Sequence, residues 1–312
     1  MKVATGHGFY DQFGAASEAI EPGIQWSLMN PDGSWSRPPE DCDTIVLADD
    51  VYARGFMEAA AALPAPRWAH TEDAGTDGFF YDAMRDKGAI VTHSPGANAP
   101  EVAEFAFSFL LWSAKRLGEF RDAQRAHAWD KRVSQGLSDK TVLVIGLGAI
   151  GSHVVRYARA FGMRVLGIRR TASPAGDVDR QGTLDDLDDF LAKADFVVLA
   201  LPHSEDTDKL IGAAELARMK PEATLINVAR GAIVDLPALR EALASGQIHQ
   251  ACLDVFPTEP WPADDDLWDL PNLFMTPHNA SDSPLYLPRV GKIWLENLRR
   301  FQTGEALLHR AF

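Results

Sequence analysis

Three segments in the last third of the chain end in side chains able to act on a carbonyl group. They are Asn227-Val228-Ala229-Arg230-Gly231, Asp254-Val255-Phe256-Pro257-Thr258-Glu259-Pro260 and Thr276-Pro277-His278-Asn279-Ala280, each after an apolar, β-rich run. An arginine grips a carboxylate through paired bonds and polarises an adjacent ketone. A histidine gives its proton to an oxygen as hydride reaches the attached carbon, and a carboxylate beside it keeps it protonated and oriented. Arg230, Glu259 and His278 therefore have the types that reduction of a 2-oxo acid asks for. In open α/β sheets ligands lie beyond the carboxyl ends of the strands, so all three could converge there. Taken singly, each has a plainer reading: a histidine after proline is more often a surface or capping residue, and Glu-Pro is usually a loop.

A second group of residues is suited to phosphate. Gly146-Leu-Gly148-Ala-Ile-Gly151 closes the apolar run Val142–Ile145 and opens a helical stretch, Ser152–Phe161. In that context the glycines have separate tasks: a tight turn at Gly146, close backbone approach to a pyrophosphate at Gly148, and close helix–strand packing at Gly151. The helix start then offers free N–H groups to the phosphates. An Asp or Glu about 20 residues further on would hold an adenosine ribose 2′-hydroxyl. Instead the next strand ends Ile168-Arg169-Arg170-Thr171. No Asp or Glu occurs from Lys140 to Gly176, a stretch of 37 residues. Two arginines without a carboxylate suit a 2′-phosphate, so NADP(H) is the expected cofactor and NAD(H) the weaker alternative. The plainer reading is a charged strand end on the surface.

These residues need strands to carry them, and β-rich runs alternate with helical patterns throughout. The first third gives strands at Lys2–Thr5, Ile24–Leu28, Thr44–Ala48, Arg67–Thr71 and Ile90–Thr92, with helices at Ala53–Ala62 and Phe80–Lys87. After the Pro- and Gly-rich break His93–Pro100 a long helix is expected over Glu101–Leu117. A second series follows: 141–146, 164–169, 195–201, 224–229, 251–256 and 273–277, with a last helix over Pro288–Thr303. Such alternation means βαβ units, an α/β fold with mostly parallel sheets. The helix Glu101–Leu117 is apolar on nearly every face, with Phe105, Phe107, Phe109, Leu110, Leu111 and Trp112, which points to a homodimer. Acidic clusters at Asp185–Asp189 and Asp264–Asp266 read as solvated faces and caps.

Composition narrows the function classes. The chain has 312 residues, 46% of them apolar, which excludes a disordered chain and suggests about two domains. Its 30 basic and 44 acidic side chains give a net charge of −14, so nucleic acid and anionic membrane are poor partners. Two isolated cysteines, Cys42 and Cys252, make neither a disulfide framework nor a CxxC metal pair; no metal site is expected. The apolar run Phe105–Ala114 falls short of the roughly 20 residues that span a bilayer. The N-terminal segment lacks a cleavable signal pattern, so a cytoplasmic location is expected.

Together the motifs resemble the D-isomer-specific 2-hydroxyacid dehydrogenase family over nearly the whole chain. DAGTD (73–77) is similar to that family's substrate-binding turn, and Asn98-Ala-Pro-Glu-Val-Ala-Glu104 to its hinge and interdomain helix. GLGAIG, LPHSEDT (201–207), NVARG, DVFPTEP and TPHNA follow in the family's order. The resemblance implies two Rossmann-like or flavodoxin-like domains with the cofactor domain inserted into the catalytic one. That places the substrate domain at 1–98 plus 280–312 and the dinucleotide-binding domain at 99–279. It implies Arg230, Glu259 and His278 as the catalytic set and Ala74, Gly75, Arg230 and His278 as the substrate site. It extends the cofactor site over Gly146, Gly148, Ala149, Ile150, Gly151, Arg169, Arg170, Thr171, Leu201, Pro202, Val228, Ala229, Asp254, His278 and Ala280, with Asp254 near the nicotinamide carboxamide. It also implies a dimer made largely by the cofactor domain. Thr76 and Gly78-Phe79-Phe80 depart from the family's usual residues, which leaves the choice among glyoxylate, hydroxypyruvate and bulkier acids open. Ala74 and Glu259 disfavour phosphite and formate as substrates. Trp129 stands where some glyoxylate and hydroxypyruvate reductases place a tryptophan that closes a neighbour's site, and it reads equally as a packing residue. The expected function is NADPH-dependent reduction of a 2-oxo acid. The alternative is a nucleotide-sensing corepressor or binding protein on the same scaffold.

Overall fold

The computed structural model describes residues 1–30, 32–48, 54–73, 75–76, 78–171 and 176–312. They divide into two compact units, residues 1–98 with 282–312, and residues 99–281. The first unit runs β1 (Lys2–Gly6), α1 (His7–Ile20), β2 (Gln25–Met29), β3 (Thr44–Leu47), α2 (Arg54–Ala62), β4 (Trp68–Thr71), α3 (Phe79–Asp86) and β5 (Ile90–Thr92). Its five strands pair in parallel in the order β2-β1-β3-β4-β5. The second unit runs α4 (Ala99–Ala114), α5 (Leu117–Arg125), β6 (Thr141–Ile145), α6 (Ala149–Ala160), β7 (Arg164–Ile168), β8 (Arg180–Gly182), α7 (Leu187–Leu191) and β9 (Phe196–Leu199). It continues with α8 (Ala213–Arg218), β10 (Thr224–Asn227), α9 (Leu236–Ala244), β11 (Gln250–Leu253) and β12 (Leu273–Met275). Its sheet has the order β12-β11-β10-β9-β6-β7-β8, so strand order reverses at β6. The chain then rejoins the first unit as α10 (Tyr286–Thr303).

Both sheets are buried on two faces, which is why their strands are continuous apolar runs rather than alternating ones. Successive side chains still point opposite ways. In β6, Val142 and Val144 enter a core shared with α4 and α6, while Leu143 and Ile145 enter the core on the other face. The first unit repeats this: Ile45 and Leu47 face one core, Val3, Val46 and Trp68 the other, where Trp68 stacks on Trp294 of α10 at 4.6 Å.

Two expectations change here. The helix expected over Glu101–Leu117 ends at Ala114; the chain turns at Arg116, in the left-handed region at φ 55, and α5 follows. Its apolar girdle is partly covered inside its own unit, with Phe105, Leu111 and Trp112 left half-buried. Phe107, Phe109 and Leu110 are buried, Phe105 meets Phe109 edge-on at 5.0 Å, and Trp112 lies 4.8 Å from Phe274 of β12. The sheet supplies part of the cover that the helix's apolar pattern assigned to a second subunit. Trp129, by contrast, is 95% exposed and is not a packing residue among the described residues. The short strand β8 has no counterpart among the expected strands, because its three residues, Arg-Gln-Gly, carry no β signal. The acidic clusters do cap: Asp186 closes a capping box with Thr183, and Asp265 accepts from the Leu267 N–H and pairs with Arg240. Among the described residues no helix is long and apolar enough to cross a membrane.

Candidate active site

The candidate residues of the second unit all lie just past the carboxyl ends of strands in one parallel sheet. Gly146 follows β6, the strand at which the order reverses, and that is where α/β sheets open a crevice for ligands. Gly146 sits at φ 103, which a side chain would strain, and a Cβ there would lie 2.3 Å from the Ala200 carbonyl oxygen. This close approach sets the glycine turn against Ala200 and Leu201, so Leu201 and Pro202 stand beside it. A Cβ at Gly151 would lie 1.9 Å from the Gly146 carbonyl oxygen, so only glycine lets α6 start this close to β6. Above Gly148 the position is different: a Cβ there meets nothing within 4 Å. Helix α6 begins at Ala149, so the N–H groups of Ala149, Ile150 and Gly151 have no intrahelical carbonyl. Open space in front of unpaired N–H donors is what a pyrophosphate needs, and the loop fits a dinucleotide on that ground.

At the end of β7, Arg169 is half-buried and Arg170 and Thr171 are exposed. The Arg169 N–H donates to the Gly182 carbonyl at 3.2 Å, which fixes this strand end against β8. Residues 172–175 lie outside the described residues.

Arg230, Glu259 and His278 follow β10, β11 and β12. Asn227 shapes the first loop: its amide donates to the Arg230 carbonyl at 3.0 Å, and its side-chain oxygen accepts from the Ala229 N–H at 3.0 Å. A Cβ at Gly231 would fall 2.0 Å from the Phe256 carbonyl carbon, so the Arg230 loop and the loop leading to Glu259 pack backbone to backbone. The Arg230 guanidinium donates to the Ala229 carbonyl at 2.8 Å. Val228 and Ala229 are each 6% exposed and belong to the two cores flanking the sheet.

Glu259 and His278 are in contact. One Glu259 oxygen accepts from the Phe256 N–H at 2.8 Å, and the other meets His278 Nδ1 at 2.7 Å. With Nδ1 committed, Nε2 is the nitrogen left to face a reactant. His278 itself lies at φ 54, left-handed backbone that costs a non-glycine residue about 1–2 kcal/mol. Asp254, 1% exposed, offsets that strain. Its carboxylate accepts from the Thr276 hydroxyl at 2.6 Å, the Asn279 N–H at 2.9 Å and the Ala280 N–H at 3.0 Å. Its carbonyl accepts from the His278 N–H at 2.8 Å. Both carboxylate oxygens of Asp254, the residue that the resemblance puts near the nicotinamide carboxamide, hold the turn that presents the histidine. Thr276, Asn227 and Gly231 were not singled out as site residues. Their signal was faint: a small polar residue two before the histidine, an amide three before the arginine, and a glycine just after it.

Gly75 and Thr76 belong to the other unit, past the carboxyl end of β4, and Ala74 lies outside the described residues. The stem of this turn is tied down on several sides. The Glu72 N–H donates to Leu47, the Ser94 N–H donates to the Asp73 carbonyl, and the Tyr286 hydroxyl donates to the Glu72 carbonyl. Burial and the nearby carboxylates of Glu72, Asp73 and Asp282 push the Tyr286 phenol up, so it stays a neutral donor.

Comparison with known proteins gives a consistent picture. Residues 107–280 match the sequence model described as D-isomer specific 2-hydroxyacid dehydrogenase, NAD binding domain. The chain is 39% identical over 256 residues to glyoxylate/hydroxypyruvate reductase B of Pectobacterium carotovorum subsp. carotovorum (strain PC1), covering 78% of this chain and 79% of that one. It is 37% identical over 279 residues to the glyoxylate reductase of Korarchaeum cryptofilum (strain OPF8), covering 85% and 81%. A D-isomer specific 2-hydroxyacid dehydrogenase from Xanthobacter autotrophicus Py2, solved with NADPH and MES, superposes with a TM-score of 0.80 at 30% identity, covering 100% and 97%.

Proposed function

The chain belongs to the D-isomer-specific 2-hydroxyacid dehydrogenase family, and from that premise we propose that it reduces a small 2-oxo acid to the D-2-hydroxy acid, with NADPH as the preferred donor. The observation that carries this reading is the His278–Glu259 pair, 2.7 Å apart, on a turn that Asp254 fixes. A bound nicotinamide nucleotide supplies the hydride. The glycine loop and the first N–H groups of α6 hold its pyrophosphate, and Arg169, Arg170 and Thr171 receive the 2′-phosphate through charge-assisted bonds. Arg230 binds the substrate carboxylate and polarises the ketone. His278 Nε2 delivers a proton to the ketone oxygen as hydride arrives at carbon. Glu259 keeps the ring aimed and balances the charge of the imidazolium form. The protein works as a homodimer. Glyoxylate and hydroxypyruvate are the first substrates to try, because reductases of these acids are among the relatives.

The test is turnover of glyoxylate, hydroxypyruvate and phenylpyruvate with NADPH and with NADH, read as loss of reduced-nicotinamide absorbance. The expected result is turnover of at least one acid, faster with NADPH. No turnover with any acid, alongside tight nucleotide binding, would sink the enzyme reading and favour a nucleotide sensor.

A further inference from the structure

Glu259 owes its place to its own loop, and that loop leans on a residue outside the acid–base pair. Beyond β11 the chain runs Phe256-Pro257-Thr258-Glu259-Pro260-Trp261-Pro262. Glu259 reaches back along it. Its Oε1 accepts from the Phe256 N–H at 2.8 Å, which leaves Oε2 for His278 Nδ1 at 2.7 Å. Where Phe256 goes, the carboxylate therefore follows. Phe256 in turn is held from different directions. The Gly231 backbone abuts its carbonyl carbon so closely that a Cβ on the glycine would fall 2.0 Å away. The Trp261 ring lies against the Phe256 ring, with centroids 5.6 Å apart and planes tilted by 35°. Phe256 is 8% exposed and belongs to the core on one face of the sheet, while half-buried Trp261 packs on that core from outside.

The backbone of Trp261 has little freedom. Pro260 before it fixes one torsion, and Pro262 after it confines Trp261 to extended backbone. The Pro262 carbonyl accepts from the Trp268 indole N–H at 2.8 Å. Asp265 then ties the next turn down, accepting from Arg240 of α9 at 2.7 Å and from the Leu267 N–H at 2.8 Å. The tryptophan is thus a fixed wall. Aromatic pairs prefer a few defined arrangements, so this wall sets Phe256 in angle as well as in depth. We propose that Trp261 is a positioning residue for the reaction: by clamping Phe256 it sets the Glu259 carboxylate, and through it the aim of His278 Nε2. This rests on the reading of Glu259 and His278 as the acid–base pair. A misplacement of about 1 Å can cost on the order of 10²-fold in rate, so loss of the clamp is read in kcat.

The experiment compares wild type, Trp261→Leu, Trp261→Phe, Glu259→Ala and the double variant Trp261→Leu/Glu259→Ala. It measures kcat and KM for the 2-oxo acid turned over fastest, Kd for NADPH, and thermal unfolding. Leucine keeps apolar cover but loses the flat ring, so kcat falls about 10- to 10²-fold. KM for the acid and Kd for NADPH stay within about twofold of wild type. Phenylalanine restores a ring and most of kcat. The double variant is no slower than Glu259→Ala, within about twofold, because without the carboxylate the tryptophan has nothing to aim. A merely structural role would instead multiply the two losses, and that result overturns the inference. So does an unchanged kcat in Trp261→Leu beside a damaged Glu259→Ala, which leaves the proposed reaction standing. If Trp261→Leu does not fold, Trp261→Met runs the same cycle to the same decision. Wild-type kcat in Glu259→Ala defeats the acid–base reading and this inference together.

Discussion

His278 pairs with Glu259 while standing in left-handed backbone, and the strain is held by an aspartate 24 positions earlier in sequence. General acid–base help of this kind contributes about 10²–10⁴ in rate, so His278→Ala should lose that much in kcat while keeping its affinity for NADPH. Near-wild-type turnover in that variant would remove the histidine from the mechanism. The arginines past β7 carry the second prediction at this scale. Bonds from a guanidinium to a phosphate contribute about 1.5–3 kcal/mol each. One or two of them favour NADPH over NADH by roughly 10- to 10⁴-fold, toward the lower end where solvent screens them. Arg169→Asp should reverse the preference, because its carboxylate repels a 2′-phosphate and accepts from a free ribose hydroxyl. The ratio of kcat/KM for NADPH over NADH decides; a wild type that prefers NADH reduces Arg169 and Arg170 to strand-end charge.

Among the elements, β4 and β5 carry a group with a readable acid response. Burial pushes the His70 imidazole between them down to about 3, from an ordinary 6.5. In the unfolded chain the same ring takes its proton near 6.5. Between these values the unfolded state binds more protons, so the stability gained by keeping His70 neutral is fully present above about pH 6.5 and is lost as the pH falls toward 3. The slope approaches about 1.4 kcal/mol per pH unit inside that window. Denaturant unfolding of the whole chain at about pH 7.5 and about pH 5.5 should show wild type losing more than His70→Gln, which has no proton to gain. Equal losses would mean the ring is not the group that titrates.

At the scale of the whole molecule, the net charge of −14 and the exposed apolar side chains set how copies meet. Helix α4 buries Phe107, Phe109 and Leu110 in its own unit and leaves Phe105, Leu111 and Trp112 half-buried, so the proposed homodimer has apolar surface to draw on there as well as elsewhere. The apolar side chains that remain uncovered in that unit include Trp129, 95% exposed, and Val133, 89% exposed, on the segment after α5. Light scattering at micromolar concentration should report a dimer, and Trp129→Asp should shift it toward monomer by placing a charge where an apolar contact is needed. A stable wild-type monomer would overturn the dimer.

The sequence by itself determined the α/β class, eleven of the twelve strands among the described residues, and the place of Arg230, Glu259 and His278 beyond strand ends. These follow from local physics: apolar runs that suit a sheet covered on both faces, and glycines where the chain must turn or pass close to itself. Tertiary structure alone decided which partners each polar group found. Asp254 holds the Thr276–Ala280 turn across 22 to 26 residues of chain, and Tyr81 reaches Asp73 from the helix that follows. Which distant residues pack on α4 was equally beyond the sequence, since Phe274 meets Phe109 and Trp112 only after β12 has taken its place in the sheet. Burial of a residue is written into its neighbours in sequence through periodicity; the identity of what buries it is set by chain that lies far away until the sheet closes.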